Sequence, residues 1–93
     1  MNDLVLRQVY PLMDYVTLWS PQPDGRWREV KTGDRLDFDT REYAHRDFLF
    51  GLELPAHATQ TYYLRFASNG PIDIALELYE PRTLLGVLGS EQL

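Results

Sequence analysis

From Phe48 to Leu78 the apolar residues recur at every second position. Phe48, Phe50, Leu52 and Leu54 share one parity. Tyr62, Leu64 and Phe66 repeat it after the turn at Pro55–Thr59, and Ile72, Ile74, Leu76 and Leu78 repeat it again after Asn69-Gly70-Pro71. A period of two gathers side chains on one face of an extended strand, whereas a helix would scatter them. On the opposite parity of the last segment stand Asp73, Glu77 and Tyr79. Antiparallel strands with one wet face alternate in this way.

The first half carries the same signal in shorter pieces. Leu4–Tyr10 reads as a strand ended by Pro11, and Tyr15–Ser20 as a second, rich in β-branched and aromatic residues. Pro21-Gln22-Pro23-Asp24-Gly25 is a turn, because proline fixes φ and glycine accepts a positive one. Trp27–Lys31 is a third strand, Thr32-Gly33-Asp34 a turn, and Arg35–Phe38 a short extended piece. Asp39–Ala44 is a polar loop. Only Thr83–Leu88 departs, as a short helical turn weakened by Gly86 and Gly89. Seven or so short strands at regular spacing predict an all-β chain, a β-sandwich or small barrel. The 93 residues suffice for one small domain with one modest core.

The formal net charge is −5, and the nine basic residues are scattered singly. A phosphate backbone is therefore repelled, and nucleic acid is not an expected partner. The absence of cysteine excludes a disulfide framework and a thiolate metal site. No stretch is long and apolar enough to span a membrane. Met1-Asn2-Asp3 lacks the basic start of a signal peptide, so the targeting segment of an exported domain would have been removed.

His45-Arg46-Asp47 copies the first three letters of a protein-kinase catalytic loop. The copy stops there. Phe48 follows the Asp, Leu52 stands where the metal-binding Asn belongs, and no glycine-rich phosphate loop precedes it. As a catalytic trio the triplet also lacks a Ser or Cys nucleophile. On a strand His45 and Asp47 would share one face and Arg46 would take the other. Arg46 has the parity of Phe48 and Phe50, so it is expected to turn over the core rim and bind carbonyls or a carboxylate. His45 and His57 lie twelve residues apart on different loops. They read as surface residues, with no metal site expected.

The aromatic residues point to recognition. Trp19, Tyr63 and Tyr79 lie on the parity opposite to the apolar set, and Arg65 accompanies Tyr63. Flat rings on an outer face stack on the C–H faces of sugars while Arg or Asp binds hydroxyls. The plainer reading is that loops or a second copy of the domain cover these rings.

Several short segments in order carry a resemblance. They are Thr32-Gly33-Asp34-Arg35-Leu36, His45-Arg46-Asp47-Phe48-Leu49-Phe50, Leu54-Pro55, Tyr63-Leu64-Arg65 and Leu76-Glu77-Leu78-Tyr79-Glu80-Pro81. Tyr10-Pro11-Leu12-Met13-Asp14 adds an early P-L-x-D turn. The chain resembles the 7TMR-DISM extracellular domain 2, found ahead of the seven-helix membrane module of bacterial diverse-intracellular-signalling receptors. The resemblance covers nearly the whole chain, and it makes His45-Arg46-Asp47 a family signature at the start of a strand.

The resemblance implies a jelly-roll-like antiparallel β-sandwich, similar to carbohydrate-binding modules, over residues 1–82. Residues 83–93 would connect it to a membrane helix absent from this chain. It implies a periplasmic, non-catalytic sensor domain of an inner-membrane receptor, with a saccharide or other small polar ligand and no cofactor. The expected ligand-binding residues are Trp19, Tyr63, Arg65, Tyr79 and Arg46. The partner would be the seven-helix module of the same receptor. The chain departs from the pattern in two places. Strands that relatives carry before the equivalent of Leu4 are missing, and the Leu54–Ala58 turn lacks the usual glycine. A missing edge strand invites strand exchange or a homodimer. The alternative function is thus a structural or dimerising module that binds no ligand. A metal-dependent sugar-processing jelly roll would need several inner-strand histidines, and the chain has two.

Overall fold

A computed structural model of the chain describes residues 4–9, 12–55 and 57–91. Six strands and one helix follow in order: β1 (Leu4–Gln8), β2 (Tyr15–Pro21), β3 (Trp27–Thr32), β4 (Phe48–Leu52), β5 (Tyr63–Ala67), β6 (Leu76–Tyr79) and α1 (Pro81–Glu91). They form two antiparallel three-stranded sheets, ordered β4-β1-β6 and β3-β2-β5, in a sandwich-like arrangement. The chain is mostly β. The expected strand end at Tyr10-Pro11 lies outside the described residues.

The inner faces follow the alternation. Met13, Val16, Leu18, Phe48, Phe50 and Leu52 are buried together, and Leu4, Leu6, Val30, Tyr62, Leu64 and Phe66 pack around them. Each large side chain so buried stabilises by about 1.5–3 kcal/mol. β4 is buried on both faces, because Leu49 points away from this core into a second cluster with Val5 and Leu84.

Three expectations are corrected. First, the Thr83–Leu88 turn is part of an 11-residue helix. Pro81 stands at its first position, where a missing N–H costs nothing. Leu84 and Leu88, one turn apart, dock on Val5, Leu49 and Tyr79. That packing outweighs the poor propensity of Gly86 and Gly89. Second, Arg35–Phe38 is not extended: a 3₁₀ turn occupies Phe38–Thr40, with the Thr40 hydroxyl donating to the Asp37 carbonyl at 2.7 Å. Third, the apolar stripe of the last strand is not sealed in the core. Leu78 opposes Leu6 across the ladder and so shares its inward face. It nonetheless remains 57 % exposed, and Ile72, Ile74 and Leu76 are open to a similar degree. β6 lies at the sheet edge, with no neighbour beyond it among the described strands.

Ile72–Ala75, expected as strand, forms no ladder. The buried Gln8 side chain holds this segment, donating to the Asp73 carbonyl at 2.8 Å and accepting the Ala75 N–H at 3.1 Å. The Thr32-Gly33-Asp34 turn is locked against the residues that lead into β2. Asp34 N–H donates to the Met13 carbonyl and Arg35 N–H to that of Asp14, at 2.8 and 3.1 Å. Gly33 has φ +148°, and a Cβ there would overlap the Asp14 carbonyl.

Candidate functional site: an aromatic face and a buried ion pair

Ladder pairing fixes which side chains share the outer face of the β3-β2-β5 sheet. Trp19 pairs with Tyr63 on β5 and Glu29 on β3. Thr17 pairs with Arg65 and Lys31, and Pro21 pairs with Trp27. Cross-strand partners project to the same side. Trp19, Tyr63 and Arg65 therefore meet on one face, as the parity argument requires. The Trp19 indole N–H donates to Glu29 Oε2 at 2.8 Å, and Lys31 Nζ lies 3.4 Å from Glu29 Oε1.

Trp27 completes this face and was not among the expected residues. Its ring lies 5.4 Å from that of Tyr63, tilted by 59°. Tyr63 is 57 % exposed and Trp27 50 %. Such a tilted pair presents two π faces to solvent and resists collapse of either ring. The signal was available in the hairpin: closing β2 and β3 through Asp24-Gly25 puts Trp27 opposite Pro21, on the Trp19 side.

Tyr79 and Arg46 do not join that face. Tyr79 belongs to the outer side of the other sheet, half-buried against Val5, Leu49 and Leu84. Its phenol donates to Glu77 at 3.0 Å. That bond, aided by burial and by the Glu77 charge, pushes the phenol pKa up, with Arg7 opposing. Arg46 is exposed rather than folded over the core rim, and its Nε stays 3.9 Å from Asp47 Oδ1.

The buried partner is Asp47, whose carboxylate meets Arg7 Nε and Nη2 at 2.9 and 2.8 Å. The rim role expected of Arg46 falls to Arg41. Its Nη1 donates to the carbonyls of His45 and Arg46, and its guanidinium lies 4.4 Å from the centre of the Phe48 ring. The cause is local. Residues 41–47 form bends rather than strand, so strand parity does not govern them. Within them, His45 Nδ1 accepts the Asp47 N–H at 2.9 Å. Among the described residues no three His, Asp or Glu side chains converge in a metal-binding group.

The Arg7–Asp47 pair explains the His-Arg-Asp signature in physical terms. The Asp is a buried structural anion, and the His supports its backbone. The Arg is exposed to solvent. No helix among the described residues is long and apolar enough to cross a membrane. Comparison with characterised proteins and with solved structures returns no match. The family model of the 7TMR-DISM extracellular 2 domain matches residues 1–80, and the chain accordingly belongs to this family, the extracellular part of membrane signalling receptors.

Proposed function

We propose that this chain is the ligand-sensing domain of its receptor, taking a saccharide or other small polar ligand on the outer face of β3-β2-β5 without transforming it. The observation that carries the reading is the exposed Trp27–Tyr63 pair beside Trp19 and Arg65. The rings offer stacking surface for C–H faces, and Arg65, Glu29 and Lys31 offer hydroxyl partners at the rim. Tyr79 and Arg46 drop out of this site, since Tyr79 lies on the other sheet and Arg46 in the bends before β4. The domain is periplasmic in this reading, and occupancy passes to the seven-helix module. The β-sandwich over residues 1–82 does the sensing, and residues 83–93, within α1 and after it, are the connector. Calorimetric titration with a saccharide panel tests the reading, with Trp27→Ala and Tyr63→Ala expected to abolish saturable binding while leaving the fold intact.

The jelly-roll topology belongs with this proposal. A jelly roll has eight strands. A further strand at the edge of β6 would move the present sheets toward it.

The same stripe favours a second reading, a dimerising module. Two copies pairing β6 antiparallel about Leu76 would set Leu78 beside the partner's Ile74 and Glu77 beside the partner's Ala75. No like charges would then stand opposite. A sedimentation coefficient that rises with concentration, and that falls back in Leu76→Lys, supports it. A monomer at all concentrations removes it.

A further inference from the structure

A recess lies between the sheets, at the end of the sandwich where β2 and β3 meet their hairpin. It has a volume of about 250 Å³, and Ser20, Gln22, Arg28, Gly51, Glu53 and Tyr62 line it. Ser20 and Arg28 have the inward parity of β2 and β3, Gln22 follows β2, Gly51 lies on β4, and Glu53 and Tyr62 belong to the β4–β5 connection. Pro21, opposite Trp27, also lines the recess and is the one residue it shares with the aromatic side.

Its polar groups are set rather than loose. Glu42 grips both sides of it, accepting Arg28 Nη2 at 2.7 Å with one oxygen and the Gly51 N–H at 2.5 Å with the other. Tyr62 donates to the Glu53 carbonyl at 2.6 Å. The Gln22 amide nitrogen reaches the Ser20 and Pro21 carbonyls at the long distances of 3.5 and 3.4 Å. Among the described residues, the buried Ser20 Oγ meets no hydrogen-bonding partner. A buried hydroxyl left unpaired is costly and calls for a partner from the recess it lines.

We infer that this recess binds one neutral polyhydroxylated ring of pyranose size, through Ser20, Gln22, Arg28 and Glu53. Its size suits a single ring better than a chain. Its charge does not favour anions, because Glu42 neutralises Arg28, the cation of the lining. Ligand hydroxyls both donate and accept, which matches a lining that holds carboxylate, amide, guanidinium and hydroxyl together. The inference rests on the saccharide reading above and adds a site and a class of ligand to it.

The test is amide-resolved NMR titration of the full chain with methyl glucoside, methyl galactoside and methyl mannoside, and with glucuronate as the anionic counterpart. The expected result is saturable shifts of Ser20, Gln22, Arg28, Gly51 and Glu53 with at least one neutral probe, weaker with glucuronate. Ser20→Ala and Gln22→Ala should each weaken binding about fivefold, the loss of roughly one neutral hydrogen bond. Shifts confined to Trp19, Trp27, Tyr63 and Arg65 overturn this inference and leave the aromatic-face reading standing. No saturable shift anywhere with any probe overturns both. Tighter binding of glucuronate than of the neutral probes overturns the assignment to a neutral ring.

Discussion

Asp47 receives two nitrogens of Arg7 on a single carboxylate oxygen, at 2.9 and 2.8 Å, with both side chains almost wholly buried. The pair ties the start of β4 to β1 on the side of the sheet that α1 covers. Two buried charges gain little over a well-packed apolar pair, but one without the other is costly. Asp47→Ala leaves the buried Arg7 with the half-exposed Glu77, 3.6 Å away, in place of a buried carboxylate, and is expected to destabilise the domain by about 3 kcal/mol, the lower end for a broken buried pair. The double variant Arg7→Met/Asp47→Leu should lose clearly less. Urea midpoints decide it, and a double variant as unstable as the single one would contradict the ion-pair account.

Gly33 is the second fixed point. With φ at +148° and the Asp14 carbonyl where a Cβ would go, Gly33→Ala must displace backbone rather than a flexible side chain. Overpacking of this kind costs about 1–3 kcal/mol. Thermal unfolding should show the loss, whereas Gly25→Ala, where a Cβ meets nothing within 4 Å, pays only for its positive φ of 85°.

Asp14 gives the domain an acid-sensitive contact. Its Oδ2 accepts the Asn69 N–H at 2.9 Å, and Arg35 Nε lies 3.5 Å from Oδ1. The backbone bond, chiefly, and Arg35 hold its pKa below the ordinary value of 3.8. A depressed carboxyl contributes stability above its unfolded pKa and loses it as pH falls through the folded one. The advantage of wild type over Asp14→Asn should thus be full at pH above about 5 and shrink below about 4. Urea midpoints at neutral and acid pH measure it, and a gap that does not change with pH would contradict the assignment.

Tyr79 works in the opposite sense. Its raised pKa means that its contribution is full below the ordinary tyrosine value of about 10 and is lost as pH rises through the higher folded value. Absorbance titration should show a tyrosine ionising later than its ordinary pH. Glu77→Gln should bring that step back down, because Glu77 is the chief cause of the shift.

The alternation of Phe48, Phe50 and Leu52 and of Val16 and Leu18 was enough to read an all-β chain, sandwich or small barrel, and it put Trp19, Tyr63 and Arg65 on one face. Parity failed where no ladder exists. Arg46 and Asp47 sit in bends, so the triplet turned its Asp inward and its Arg out. Parity says which way Leu76 and Leu78 point, but not whether another layer or strand covers them. Tyr79 was misjudged as outer surface because α1, which packs over it, is nearly silent in a sequence carrying Gly86 and Gly89. The recess around Ser20 comes from two loops and three strand ends, a juxtaposition that no local pattern encodes.

The central claim is that the Trp27–Tyr63 face is a ligand surface, and tryptophan fluorescence during saccharide titration tests it most directly. The chain's two tryptophans, Trp19 and Trp27, both belong to that face, so emission reports it without labels. The account predicts a saturable change with at least one saccharide, absent in Tyr63→Ala of unchanged fold. Emission that stays flat across the panel, in a protein that sedimentation finds dimeric, would contradict it and leave association through β6 as the function.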